Sequence, residues 1–214
     1  MKKTMSLIAM MAAAASSPAL AHSEGDIIVR AGAAYVSPND SSDKILNSQD
    51  EFSIDSDTQL GLTVGYMITD NFSVELLAAT PFKHAISTSF GNLGDIGETK
   101  HLPPTLMVQY YFGTKDSKFR PYVGAGINYT TFFDEELNSN AQANGLSDLR
   151  LEDSWGLAAN VGADYEVYDN WYVNGSIWYA DIDTEASYKV GTDEHKTDVS
   201  IDPWVFMIAV GYSF

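Results

Sequence analysis

Residues 203–214 read PWVFMIAVGYSF, and their parity decides the fold. Taken in twos, Trp204, Phe206, Ile208, Val210, Tyr212 and Phe214 share one face, while Val205, Met207, Ala209, Gly211 and Ser213 share the other. Successive side chains of a strand point to opposite sides, so this is a strand with one large apolar face and one mostly small face. Over a soluble core such a face would be covered and its terminal aromatics incidental. On an outer-membrane barrel the same face meets lipid, with the aromatics at the two interfaces. A sheet in hydrocarbon leaves no edge open, so the last strand must pair with the first.

The same alternation recurs over residues 27–35, 60–68, 72–79, 105–112, 123–130, 155–166 and 171–179, which makes eight strands with the C-terminal one. Their connections alternate in length. Residues 69–71, 114–118 and 168–170 are short and turn-like, while 38–57, 83–103, 132–153 and 184–202 are long and polar. Short turns on one side and long loops on the other are the pattern of an eight-stranded antiparallel transmembrane β-barrel. An even strand number places both termini on the periplasmic side.

Residues 1–21 read as a signal peptide removed on export, leaving 22–214 as the barrel. Lys2 and Lys3 are followed by an apolar run and by Ala19-Leu20-Ala21, a small-x-small cleavage site. Without those two lysines the chain keeps ten basic residues against 29 acidic ones, a formal net charge near −19. That charge argues against nucleic acid as a partner. The absence of Cys excludes a disulfide framework and a thiolate metal site. Of the 29 acids, 21 fall between the strands, and none is expected to face lipid. Solvation explains acidic loops; a sharper reading is divalent-cation bridging to anionic lipopolysaccharide.

Several stretches resemble the outer membrane protein W (OmpW) family of Gram-negative bacteria. They are DTQLGLT (57–63), VELLAATPF (74–82), HLPPT (101–105), FRPYVGAG (119–126), NYTTFF (128–133), GLSD (145–148) and DPWVF (202–206), and together they span the chain after residue 21. The resemblance implies a narrow barrel with an unusually apolar lumen, passage of small hydrophobic molecules, release sideways into the bilayer, and in some members a receptor role for a colicin or phage. It also implies a lumen gate at Leu77 and Trp178, which match the family's Leu and Trp positions.

Parity supplies the remaining expectations. Eight strands leave a lumen that side chains nearly fill, or room for one small ligand, so a wide aqueous pore is excluded. Leu77 and Trp178 fall on the inward side, where an apolar constriction would exclude water or merely plug the lumen. Met67, Met107 and Tyr111 would line the same path, or serve only as core packing. Arg30, Glu75, Asp164 and Glu166 also point inward, and buried charges must pair, so they are expected to form an ionic cluster toward the periplasmic end. Pro81, Pro103 and Pro104 bracket the second long stretch and mark either strand ends or a gap in the wall, and such a gap would serve as a lateral exit. The four histidines form no defined site by sequence; His84 and His101 flank the same stretch, which leaves open whether they meet at its base. No HExxH, serine elbow or P-loop is present, which argues against an enzyme. The expected protein is a monomer working by passive diffusion without cofactor or metal. The competing reading is a closed surface-binding barrel.

Overall fold

The computed structural model describes residues 22–42, 52–88 and 93–214. The signal-peptide expectation for residues 1–21 lies outside them. The strands are β1 (Ile27–Ser37), β2 (Ser41–Ser42), β3 (Phe52–Ile54), β4 (Asp57–Met67), β5 (Phe72–Ala79), β6 (Phe82–Thr88), β7 (Gly94–Leu102), β8 (Thr105–Tyr111), β9 (Phe119–Leu137), β10 (Leu146–Leu151), β11 (Ser154–Tyr168), β12 (Trp171–Ala180), β13 (Asp183–Val190), β14 (Asp193–Ser200) and β15 (Trp204–Ser213). One short helix, α1 (Ser139–Ala143), sits between β9 and β10.

Eight strands close into a barrel in the order β11-β12-β15-β1-β4-β5-β8-β9, with β9 returning to β11. The closing pair is the expected one. β15 runs antiparallel to β1 from Ile28↔Ser213 to Ser37↔Trp204. Closure gives every barrel strand two neighbours, as a lipid environment demands. The sequence parity matches exposure throughout: Leu62, Val64, Leu76, Val108, Ile127, Val161 and Val210 are exposed and meet lipid, while Thr63, Glu75, Met107, Asn128, Asn160 and Ala209 are buried inside. Aromatic pairs ring both ends of this band. Tyr179–Trp204 and Tyr129–Trp155 stand at the end far from the termini, and Trp171–Tyr212 and Phe72–Tyr110 at the terminal end.

The four long polar stretches are, where described, largely strands rather than loops. β9 continues eight residues past Tyr129, and β6 and β7 pair with it and with β3 to carry one wall beyond the girdle. β10, β13, β14 and β2 form a second four-stranded sheet. Outside the membrane the outer face of a strand meets water, so the large-apolar signal disappears from that face. The inner face keeps its period: Thr184, Ala186 and Tyr188 on β13 and Thr197 and Val199 on β14 are buried. Among the described residues the interior thus holds three apolar clusters. One lies in this outer extension, one around Leu77 and Trp178, and one around Met67 near the termini.

Candidate functional site in the barrel lumen

The terminal end of the lumen is closed by a hydrogen-bonded ion network. Arg30, on β1, is 1% exposed. Its Nε donates to Asp164 Oδ1 at 3.0 Å and its Nη2 to Asp164 Oδ2 at 2.5 Å, a two-armed pair across the barrel. Its Nη1 pairs with Glu75 of β5, and Nη2 also donates to the Tyr111 hydroxyl at 2.8 Å. Gln109 Nε2 donates to the other Glu75 oxygen at 2.7 Å, and Asn174 Nδ2 to Asp164 Oδ1 at 2.8 Å. Charges this far from water persist only when paired and hydrogen-bonded on all sides. Below them, His22 Nε2 donates to Asp164 Oδ2 at 2.8 Å, and Arg120 Nη1 donates to the His22 carbonyl at 2.8 Å.

Arg30, Glu75 and Asp164 are therefore in one cluster, but Glu166 is not. It stands half-buried at the rim, beside a register shift between Glu166 and Tyr168, two residues beyond Asp164. Sequence reasoning missed His22, Arg120, Gln109 and Asn174 as members. Inward parity on β8, β9 and β12 was the available signal for the last three; His22 precedes the first strand and has no parity to read.

Above the network lies an apolar cluster, with Asn160, Ser176, Thr105 and Asn128 as buried polar neighbours. Leu77, Trp178, Met107, Phe82, Met207 and Ala158 share one buried cluster. Trp178 is anchored there by its indole N–H donating to Ser176 Oγ at 2.9 Å. Of the three expected lining residues only Met107 belongs to this level. Met67 and Tyr111 lie with Ile28 and Tyr122 lower down, and Tyr111 serves the ion network.

Two chambers stack in the apolar part. The lower is lined by Leu77, Trp178, Ala79, Phe82, Val205 and Pro103 among others. The upper lies in the extension, between Phe52, Ile86, Phe132, Leu149, Val199 and Ile201. Each has about 30 Å³ open to a water-sized molecule, so side chains must move before anything larger enters.

The wall beside the lower chamber is interrupted. The β5–β8 ladder ends at Leu77↔Thr105, and the β6–β7 ladder begins only at Phe82↔His101. Ala78 to Pro81 and Leu102 to Pro104 face each other across this break without ladder pairing. The prolines contribute directly, since each lacks an N–H to offer. The Pro103 and Pro104 carbonyls turn instead to Thr105 Oγ1 and to the Tyr129 N–H.

His101 lines both chambers. It stacks between Phe82, at 5.4 Å, and Phe132, at 5.9 Å. Its Nε2 lies 2.9 Å from His84 Nε2, so the two histidines do meet, beyond the girdle and outside the membrane. Burial holds both imidazoles below their usual range, and the neighbouring His84 helps to bring His101 down to about 3.

The OmpW family's sequence model matches residues 23–214. The chain belongs to the OmpW family. It is 65% identical to outer membrane protein W of Vibrio cholerae, with 100% of each chain covered. The crystal structure of OprG from Pseudomonas aeruginosa matches with a TM-score of 0.86 at 48% identity, over 91% of this chain and 98% of that one. A dibenzothiophene metabolism operon protein of Pseudomonas aeruginosa, PahQ, is 32% identical over 70% of this chain and 68% of that protein. This OmpW-family chain is accordingly a barrel of the cell outer membrane, its apolar belt in contact with lipid.

Proposed function

We propose that this barrel passes small hydrophobic molecules by passive diffusion from the outer face into the apolar lumen and releases them sideways into the bilayer. The observation that carries the reading is the lower chamber. It is apolar, its floor is the saturated Arg30 network, and it abuts the break at Ala78–Pro81 and Leu102–Pro104. A guest cannot cross a floor of paired charges without breaking them, whereas the wall beside it has no ladder to break. Leu77 and Trp178 act as the gate, since the free space is too small until they swing aside. The relative named for dibenzothiophene metabolism, whose namesake is an apolar aromatic compound, supports the same class of cargo. Export follows cleavage after Ala21. The acidic outer rim, where carboxylates of Asp181, Asp183 and Asp202 lie within 4.8 Å of one another, meets lipopolysaccharide phosphates through divalent cations.

The tightness of the lumen favours a second reading, a closed barrel that serves as a surface receptor, for a colicin or phage. The deciding experiment measures uptake of naphthalene by cells with an intact lipopolysaccharide leaflet. Wild type is compared with the double variant Leu77→Asp, Trp178→Asp, after its folding is confirmed by heat-modifiable gel migration. Uptake should fall to the level of cells lacking the protein. Unchanged uptake, with loss of partner binding on deletion of the outer hairpins, would establish the receptor instead.

A further inference from the structure

The hydrogen bonds of the two histidines fix their protons. His84 Nδ1 faces the Asp55 carbonyl, which only accepts, so Nδ1 carries the hydrogen. The neutral ring then has a bare Nε2, which must accept from His101 Nε2–H across 2.9 Å. His101 in turn is left with a bare Nδ1. That atom is buried and has no hydrogen-bond partner, on a residue 5% exposed. An unpaired buried acceptor is costly, and native proteins rarely keep one without a use.

The surroundings define the partner that this nitrogen lacks. The donors on the chamber walls are already engaged. Thr184 Oγ1 donates to the Glu152 carbonyl, Thr105 Oγ1 to the Pro103 carbonyl, and Asn128 Nδ2 to Thr105 Oγ1. A buried water needs two to four polar partners, and the remaining walls are apolar. A guest with an apolar body and one donor needs only the one acceptor.

We infer that His101 Nδ1 is a recognition point for lumen guests, selecting apolar molecules that carry a single hydrogen-bond donor, such as a phenol, an alcohol or an indole-type N–H, over bare hydrocarbons. This rests on the passage reading and names its substrate class. Phe82 and Phe132 flank the imidazole, which restricts its ring on the wall of both chambers. Ketones and ethers, which only accept, gain nothing from it.

The test uses the full mature protein in detergent and two probes of one shape, naphthalene and 2-naphthol. Equilibrium dialysis against protein-free micelles removes their different partitioning. The ratio of 2-naphthol to naphthalene affinity should drop about fivefold in His101→Phe, the worth of one neutral hydrogen bond. An unchanged ratio overturns the inference and leaves the passage reading standing. Failure of both probes to bind wild type sinks the two together. A second measurement needs no variant: the ¹⁵N resonance of His101 Nδ1 should move upfield on adding 2-naphthol and stay fixed with naphthalene. A resonance indifferent to 2-naphthol overturns the inference even if the variant fails to fold.

Discussion

Arg30 and Asp164 lie 134 residues apart in the chain and meet inside the lumen through two parallel hydrogen bonds, Nε to Oδ1 at 3.0 Å and Nη2 to Oδ2 at 2.5 Å. Asp164 also accepts from His22 and Asn174, so one carboxylate ties β1, β11, β12 and the N-terminal segment together. Replacing it by Ala leaves the guanidinium with Glu75 as its one remaining carboxylate and the His22 Nε2–H with no acceptor. Breaking a buried pair from one side typically costs about 3–5 kcal/mol. Asp164→Ala should therefore lower the stability of the folded barrel by that order, read as a shift in the urea midpoint in lipid vesicles. A loss under about 1 kcal/mol would mean that water replaces the carboxylate and the floor is not dry.

The same floor predicts an electrical result. Leu77→Asp with Trp178→Asp places charge in the apolar constriction, which should wet it. Water in the chamber still meets the Arg30, Glu75 and Asp164 network beneath. Ion conductance of the double variant in planar bilayers should thus stay at the wild-type level while apolar uptake falls. A clear rise in conductance would show an axial path and remove the argument for a sideways exit.

How far the sequence revealed this arrangement depends on where lipid stops. On β15 the contrast between Trp204, Phe206 and Ile208 outside and Met207 and Ala209 inside is written by hydrocarbon on one face and a narrow lumen on the other, and parity reads it directly. The inward placement of Arg30, Glu75 and Asp164 follows from the same rule, and their meeting follows from the cost of an unpaired buried charge. Glu166 obeys the parity yet escapes the cluster, because the shift after it and its place at the rim give it water. β13 and β14 went unread because their outer faces, with Glu185, Lys196 and Asp198, meet water and carry no apolar marker. His22 is a residue whose position is set by Asp164 and Arg120 rather than by any local pattern, so nothing in its neighbours announces it.

Inward glycines make room for the polar layer that crosses the lumen. A Cβ on Gly124 of β9 would stand 2.4 Å from Asn160 Oδ1, 2.8 Å from Gln109 Cγ and 2.9 Å from the Val108 carbonyl. The last is backbone and cannot swing away. Gly124→Ala should cost about 1–3 kcal/mol through overpacking. Gly175 of β12 has nothing within 4 Å of its Cβ position, so Gly175→Ala should be neutral or slightly stabilising. Equal urea midpoints for the two variants would show that the lumen is looser than this geometry.

The His84–His101 pair makes the outer extension sensitive to acid. An exposed imidazole in the opened state takes a proton near pH 6.5, whereas burial keeps His84 below its usual range and burial beside His84 keeps His101 neutral down to about 3. The opened state therefore binds more protons than the closed one between those values, and stability rises with pH there. Above about pH 7 the full contribution is present; it is lost progressively as the pH falls from 6.5 toward 3. Protonating His101 would also remove the bare Nδ1 acceptor, and protonating His84 Nε2 as well would set two N–H donors against each other at 2.9 Å. Backbone amides of β6 and β7 should exchange faster at pH 5 than at pH 7 once intrinsic rates are divided out, while those of β1 and β15 should not. His101→Phe should flatten that dependence, since only His84 remains to titrate. Protection in β6 and β7 that is the same at both pH values would mean that the pair stays closed when charged, held by the nearby Asp57 and Asp55 carboxylates, which favour the charged imidazole.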